Sequence, residues 1–266
     1  MMPPPALHDG WDVPTFRELV LCPPAHRYAL VIPVINEGDR IRRQLERIRD
    51  LQTAVDVVIA DGGSTDGSLE TAFLASCRVR ALLIKTSSGK LSAQLRMAYA
   101  WCLLQGYHGI ITMDGNGKDG LEALATMMVR LDEGYDYVQG SRYLPGGMAE
   151  NTPLERTIAN RMIHAPLLSL AGRHWFTDTT NGFRAYSRGY LLDPRVQPFR
   201  AVFDRYELLF YLTVRAGQIG CKVGHVAVRR SYPKDAATPT KIAGTRGKLE
   251  ILRQTFAAAL GRYRPP

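Results

Sequence analysis

Val55-Asp56-Val57-Val58-Ile59-Ala60-Asp61-Gly62-Gly63-Ser64-Thr65-Asp66-Gly67 decides the fold. A short apolar run that stops on an acid, two glycines and two hydroxyls reads as a buried strand ending in a tight turn. The same pattern recurs on either side. Residues 28–35 are an apolar run closed by Asn36-Glu37-Gly38, and residues 109–113 run straight into Asp114-Gly115-Asn116. Helical segments lie between the runs. Ile41, Leu45 and Ile48 recur at helical spacing over 39–51. Further helices are predicted over 66–76, 90–104 and 121–131, and further strands over 79–84 and 135–139. This alternation predicts an α/β fold with a doubly wound, mostly parallel, Rossmann-like sheet. Ligands of such sheets bind beyond the carboxyl ends of the strands. Three polar clusters follow strands here, so Asn36-Glu37, Asp61-Gly62-Gly63 and Asp114-Gly115-Asn116 are expected to meet at one crevice.

The flanks read differently. Residues 1–27 are rich in proline and are predicted to be an arm with little regular structure. After Gly140 the alternation ends. A helix over 153–171, a polar loop over 177–181, a short strand over 183–186, a helix over 203–216 and a late strand over 222–229 follow. One domain is expected over 28–235. The tail, 236–266, is basic and carries Leu249, Leu252, Phe256 and Leu260 at helical spacing, which predicts a basic amphipathic helix.

With 266 residues, 45% of them hydrophobic and 22% charged, the chain can bury a sizeable core without staples. Its net charge of +9 favours phosphate-bearing ligands or anionic surfaces. Cys22, Cys77, Cys102 and Cys221 form no C-x-x-C pair and are expected to be reduced thiols. The first residues lack the pattern of a secretory signal, and no apolar run is long enough to span a bilayer. The expected location is cytoplasmic, at most peripheral to a membrane. Nucleic acid is not an expected partner, because the cations follow strand ends and one tail helix rather than an aromatic-studded patch.

Several residue types point to chemistry. Gly62 and Gly63 let the backbone approach a ligand closely, and Asp61 can accept N–H donors from a nucleobase. The alternative reading is a capped strand–helix turn, with Ser64 or Thr65 as the cap. Asp114, with Asn116 two residues on, offers hard oxygen ligands suited to magnesium or manganese on a diphosphate. A polar turn before a helix is the equally plain alternative. Lys90, opening a helix after Gly89, can face phosphate. Arg142, which closes a strand, and Arg184 are candidates for an anionic acceptor. Glu207 is either a buried general base or a first-turn carboxylate complementing its helix dipole.

In order, Val31-Ile32-Pro33-Val34-Ile35-Asn36-Glu37, then Asp61 to Gly67, then Gly89-Lys90, then Met113-Asp114-Gly115-Asn116 resembles the family 2 glycosyltransferases of GT-A fold. Gly140-Ser141-Arg142-Tyr143 and Thr180-Asn181-Gly182-Phe183-Arg184 are similar to the dolichol-phosphate mannose synthase branch, which makes polyprenyl-phosphate sugars. The resemblance spans roughly 28–241. It implies a UDP- or GDP-sugar donor, a magnesium or manganese ion, and transfer that inverts the anomeric centre. It implies that Pro33, Asn36, Glu37, Gly62, Gly63, Lys90 and Gly115 border the nucleotide, that Asp61 binds the base, and that Asp114 with Asn116 holds the metal. Arg142, Asn181, Arg184 and Lys241 would meet an anionic lipid-phosphate acceptor. The donor half would be 28–141 and the acceptor half 142–235. The chain departs from the family pattern at Asn116, which stands for the second acid of an Asp-x-Asp motif, and at Lys118, which stands where the branch often has glutamine. A sugar-hydroxyl acceptor in surface polysaccharide assembly, with Glu207 as base, and a catalytically silent nucleotide-sugar binder are the alternatives.

Overall fold

The computed structural model describes residues 10–233 and 244–266. Its strands are β1 (Phe16–Val20), β2 (Tyr28–Val34), β3 (Asp56–Asp61), β4 (Val79–Lys85), β5 (Gly109–Thr112), β6 (Tyr137–Ser141), β7 (Met148–Glu150), β8 (Arg184–Ser187), β9 (Val223–Ala227) and β10 (Arg229–Ser231). The helices are α1 (Asp39–Asp50), α2 (Thr71–Ser76), α3 (Leu91–Leu104), α4 (Ala123–Asp132), α5 (Leu154–Ile158), α6 (Ala165–Gly172), α7 (Arg188–Leu192), α8 (Glu207–Gln218) and α9 (Gly244–Ala259). A π-helical turn, Ala159–His164, joins α5 to α6.

One eight-stranded sheet runs β1-β4-β3-β2-β5-β8-β6-β9. The pairs β4–β3, β3–β2, β2–β5 and β6–β9 are parallel, as the alternation predicts. Two strands break the pattern. β8 is inserted antiparallel between β5 and β6. β1 adds antiparallel to β4, so the proline-rich arm supplies an edge strand where little regular structure was expected. Its pentapeptide FRELV is half-exposed and is held mainly by its backbone ladder to β4, which leaves no apolar run to read.

The sheet's centre is packed on both faces, which is why β2, β3 and β5 are apolar between their ends. Ala29 and Val31 of β2 enter a core with α3, α7 and α8, whereas Leu30, Ile32 and Val34 enter the opposite core with α1, α2 and α4. That period of two is the strand's own geometry. A smaller cluster of Leu168, Phe210, Val214 and Ala258 seats α9 against α6 and α8. α9 docks through small and polar residues, Gln254, Thr255, Ala257 and Ala258. Its apolar stripe is divided: Phe256 and Leu260 are exposed, while Leu249, also exposed, and Leu252 border a cavity. The four cysteines are free thiols.

Candidate active site

β2 is the reference line. Its neighbours β3 and β5 run parallel to it, with Val34 opposite Asp61 and Val31 opposite Thr112. The acid that ends β3 and the one just beyond β5 therefore lie at one edge of the sheet, on either side of Pro33 and Val34. Gly115 lies so close to β2 that a Cβ there would stand 3.0 Å from the Pro33 carbonyl. Gln94 of α3 ties the ends together from below, donating to the carbonyls of Val34 (2.8 Å) and Ala60 (2.6 Å). Beyond this edge opens a cavity of about 1430 Å³. Pro33, Glu37, Gly62, Lys90, Asp114, Gly115, Asn116, Arg142 and Arg184 all line it.

Asp61 is buried and spoken for locally. It accepts the Ser64 N–H (2.9 Å) and hydroxyl (2.6 Å), and the wall of the cavity at that point is Gly62. Asn36 also serves the loop. It has a left-handed backbone (φ 49°), and its side chain accepts the Thr65 N–H at 2.8 Å. Gly63 needs its φ of +97° to make the turn. Lys90 reaches the cavity and approaches Glu250 of α9. Gly89 cannot be replaced without movement, since a Cβ would fall 2.5 Å from Asp204 Oδ1.

Asp114 sits in a charged cluster. Arg230 Nη2 donates to its Oδ2 at 2.7 Å, while Arg230 Nη1 donates to both oxygens of Asp119 at 2.6 Å. Asn116 Nδ2 also leans on Asp114 Oδ2, at 3.4 Å. Oδ1 lies against Gly182, where a Cβ would stand only 2.5 Å away. A glycine at 182 is thus what lets the 179–182 loop close on the carboxylate. Burial works to raise the Asp114 carboxyl, but Arg230, helped by Lys118, more than reverses it and holds the group below its ordinary range. For Asp119, fully enclosed, burial wins and the carboxyl is raised. Burial and the charge of Arg230 bring Lys118 down to about 8. The turn itself is pinned by Gln44, whose Nε2 donates to the Asp114 carbonyl (3.0 Å) and whose Oε1 accepts the Gly117 N–H (2.9 Å).

The expected acceptor residues divide. Arg142 borders the cavity, but its Nε and Nη2 donate to Asp178 at 2.7 and 2.9 Å, and Nη2 also reaches Thr180. Arg184 is corrected from phosphate ligand to strut. Its guanidinium donates to the carbonyls of Asn181, Leu209 and Thr179 and to the Thr213 hydroxyl. Those contacts use its donors to hold the 179–182 loop on α8. Asn181 is buried, accepting the Phe183 N–H at 3.0 Å, and stands behind the cavity wall. Glu207 is corrected as well. It accepts the Arg205 N–H at 2.6 Å at the start of α8 and is absent from the cavity wall, so the helix-start reading replaces the base. Lys241 lies outside the described residues.

Arg230 and Arg156 also line the cavity and escaped the sequence reading. Arg230 belongs to β10, which pairs with β7 and bridges to Asp119. Nothing in Val228-Arg229-Arg230-Ser231 distinguishes the inward arginine from its exposed neighbour except the alternation of a strand. Arg156 sits in α5 among polar residues and reads as a solvated helix face.

The family model for glycosyl transferase family 2 matches residues 29–193, more than half the chain. The chain belongs to this family. The family 2 chain is 31% identical over 174 residues to the polyprenol monophosphomannose synthase of Mycolicibacterium smegmatis, an alignment covering 63% of this chain and 64% of that one. It therefore spans a little under two thirds of that relative. It is 28% identical over 213 residues to the undecaprenyl-phosphate mannosyltransferase of Micrococcus luteus, covering 76% and 82%. Among solved structures it resembles glucosyl-3-phosphoglycerate synthase of Mycobacterium tuberculosis. The complex with Mg2+ and UDP superposes with a TM-score of 0.62 at 16% identity, over 89% of this chain and 79% of that one. The complex with Mn2+, UDP and phosphoglyceric acid gives 0.62 at 15%, over 91% and 80%. The fold is accordingly GT-A.

Proposed function

We propose that the chain is an inverting glycosyltransferase that moves a sugar from a UDP- or GDP-sugar to a polyprenyl-phosphate acceptor at a membrane surface. One observation carries this reading. A single cavity is walled both by a strand-end carboxylate among arginines and by apolar residues of the π-helical turn, α8 and α9, namely Ile163, Phe210, Leu249 and Leu252. A nucleotide sugar needs the first wall and a lipid phosphate needs both. The names of the relatives favour a polyprenyl-phosphate acceptor. Residues 28–141 supply the donor side and 142–235 the acceptor side.

Magnesium or manganese fits the site only together with the donor. Asp114 and the amide oxygen of Asn116 are hard oxygen donors, but two protein ligands leave most of an octahedron to phosphate and water. When bound, the ion would neutralise the departing nucleoside diphosphate. The protein's own part is placement. Pro33, Gly62 and Gly115 let the nucleotide lie flat on the sheet edge, and Gly182 lets the acceptor loop meet Asp114. A phosphate acceptor is already ionised near neutral pH, so displacement at the anomeric carbon needs no base. The sugar-hydroxyl alternative does need one, and Glu207 is engaged elsewhere.

Incubating the purified chain with labelled UDP- and GDP-sugars, Mg2+ or Mn2+ and a polyprenyl phosphate should yield a lipid-linked sugar. No product from any common nucleotide sugar would remove the reading. Glu207→Gln should change that turnover by less than about threefold, since its proton is not used.

Membrane association follows from the exposed apolar residues of the α5–α6 segment and α9. Among the described residues no helix is long and apolar enough to cross a membrane. Yet Leu154, Ile158 and Met162 fall on one exposed stripe (73, 50 and 73%), joined by Leu170, Trp175 and Leu249 at 82, 71 and 67%. The same segments carry the exposed cations Arg161, Arg173, Arg246, Lys248 and Arg253, Lys248 being paired with Glu155. Apolar stripes rimmed by arginine and lysine suit an anionic bilayer interface. The chain should co-float with anionic vesicles, and the Leu154→Glu/Met162→Glu pair should lower the floating fraction about tenfold. Equal flotation of the double variant would place the contact elsewhere.

A further inference from the structure

We infer that the first half of α9 is a strap that closes the cavity in the free chain, and that an anionic lipid surface releases it and so admits the acceptor. This rests on the membrane reading above. α9 is held differently at its two ends. Its buried residues, Gln254, Thr255, Ala257 and Ala258, all lie in the second half. There Ala258 packs with Leu168, Phe210 and Val214, and Thr255 Oγ1 is 2.9 Å from His164 Nδ1. None of residues 244–250 is buried. Ion pairs hold them instead. Lys248 reaches Glu155 of α5 at 2.7 Å, and Arg205, just ahead of α8, donates to Glu250 at 2.5 Å. Lys90 stands 4.0 Å from Glu250 as well.

The strapped half is a wall of the site. Thr245, Arg246, Lys248 and Leu249 line the cavity, and so do Glu155 and Lys90. Lys248 and Glu155 are both more than half exposed, and Arg205 is nearly half exposed. Exposed ion pairs contribute little and are screened by salt. The apolar seat of the second half is not, so the first half can lift while the second stays. An anionic surface attracts Arg246, Lys248 and Arg205 and repels Glu155 and Glu250, which pulls the members of each pair in opposite directions. Leu249, exposed beside Lys248, gains an apolar surrounding at the same step. Lifting also takes Glu250 away from Lys90.

Transfer to a short, water-soluble polyprenyl phosphate separates release of the strap from delivery of the substrate. With the wild-type chain, phosphatidylglycerol vesicles should raise that rate about fivefold or more, and phosphatidylcholine vesicles should not. Glu155→Gln/Glu250→Gln should reach the raised rate without vesicles and gain less than about twofold from them. Glu155→Lys should likewise raise the resting rate, and adding Lys248→Glu should lower it again by restoring the pair with its charges exchanged. Melting curves like that of the wild type certify the fold of each variant. Equal wild-type rates with the two kinds of vesicle, a double glutamine variant that behaves as the wild type, or a charge exchange that leaves the rate raised would each overturn the inference. Flotation on anionic vesicles would leave the membrane reading standing in those cases. Absence of flotation would remove that reading, and the inference with it.

Discussion

Asp114→Asn is expected to leave about one-thousandth of wild-type turnover, with the fold intact. The substitution keeps shape and removes one negative charge. Asp114 is the carboxylate that meets the cavity at the end of β5, and it also anchors Arg230 there. Arg230 keeps Asp119 as a partner, so the cluster should not collapse. What is lost, on the proposed function, is the hard oxygen anion beside the leaving diphosphate. The measurement is kcat and KM for donor with saturating acceptor. A fall in kcat with donor binding changed much less places the loss in the transition state. Turnover within tenfold of the wild type would mean that the carboxylate does not act on the leaving group.

Asp178→Ala should produce the largest loss of stability, about 3–5 kcal/mol. Asp178 is wholly enclosed, and Arg142 opposite it nearly so, with two short hydrogen bonds between them. Asp178 also accepts the Arg142 backbone N–H at 3.2 Å. Removing the acid strands a buried guanidinium. Removing both partners should be milder, so the Arg142→Met/Asp178→Ala pair is expected to regain a large part of the loss. Chemical denaturation of the three variants tests this. A double variant no better than Asp178→Ala would show that the pair is not coupled.

Much of the site could be read from the letters, for a local reason. A strand followed at once by an acid and a glycine announces both the element and the edge on which the acid emerges. Pro33, Gly62, Asp114 and Gly115, which the structure places on the cavity wall, follow from that pattern, whereas Asp61 and Asn36 turned inward to their own loop. Partnerships were not. Asp178 lies 36 residues from Arg142, and Asp114 lies 116 from Arg230, and no spacing rule connects them. Arg184 illustrates the opposite error. Its position in Asn181-Gly182-Phe183-Arg184 suggests phosphate, but burial surrounded it with carbonyls that consume its donors. The direction of β8 was hidden as well, because a four-residue strand carries no mark of its polarity.

That reversed strand has a mechanical consequence. β8 bonds to β5 on one side and β6 on the other, so it stitches residues 28–141 to the later segments in one unbroken ladder. A strand of the later segment thus lies between two strands of the earlier one. On the proposed function, an opening that admits a lipid or releases a nucleotide is expected from pieces hung outside the ladder. α9 and the α5–α6 arm are such pieces, and they also carry the surface proposed to meet the bilayer. Access to the chemistry and attachment to the membrane would then be a single motion.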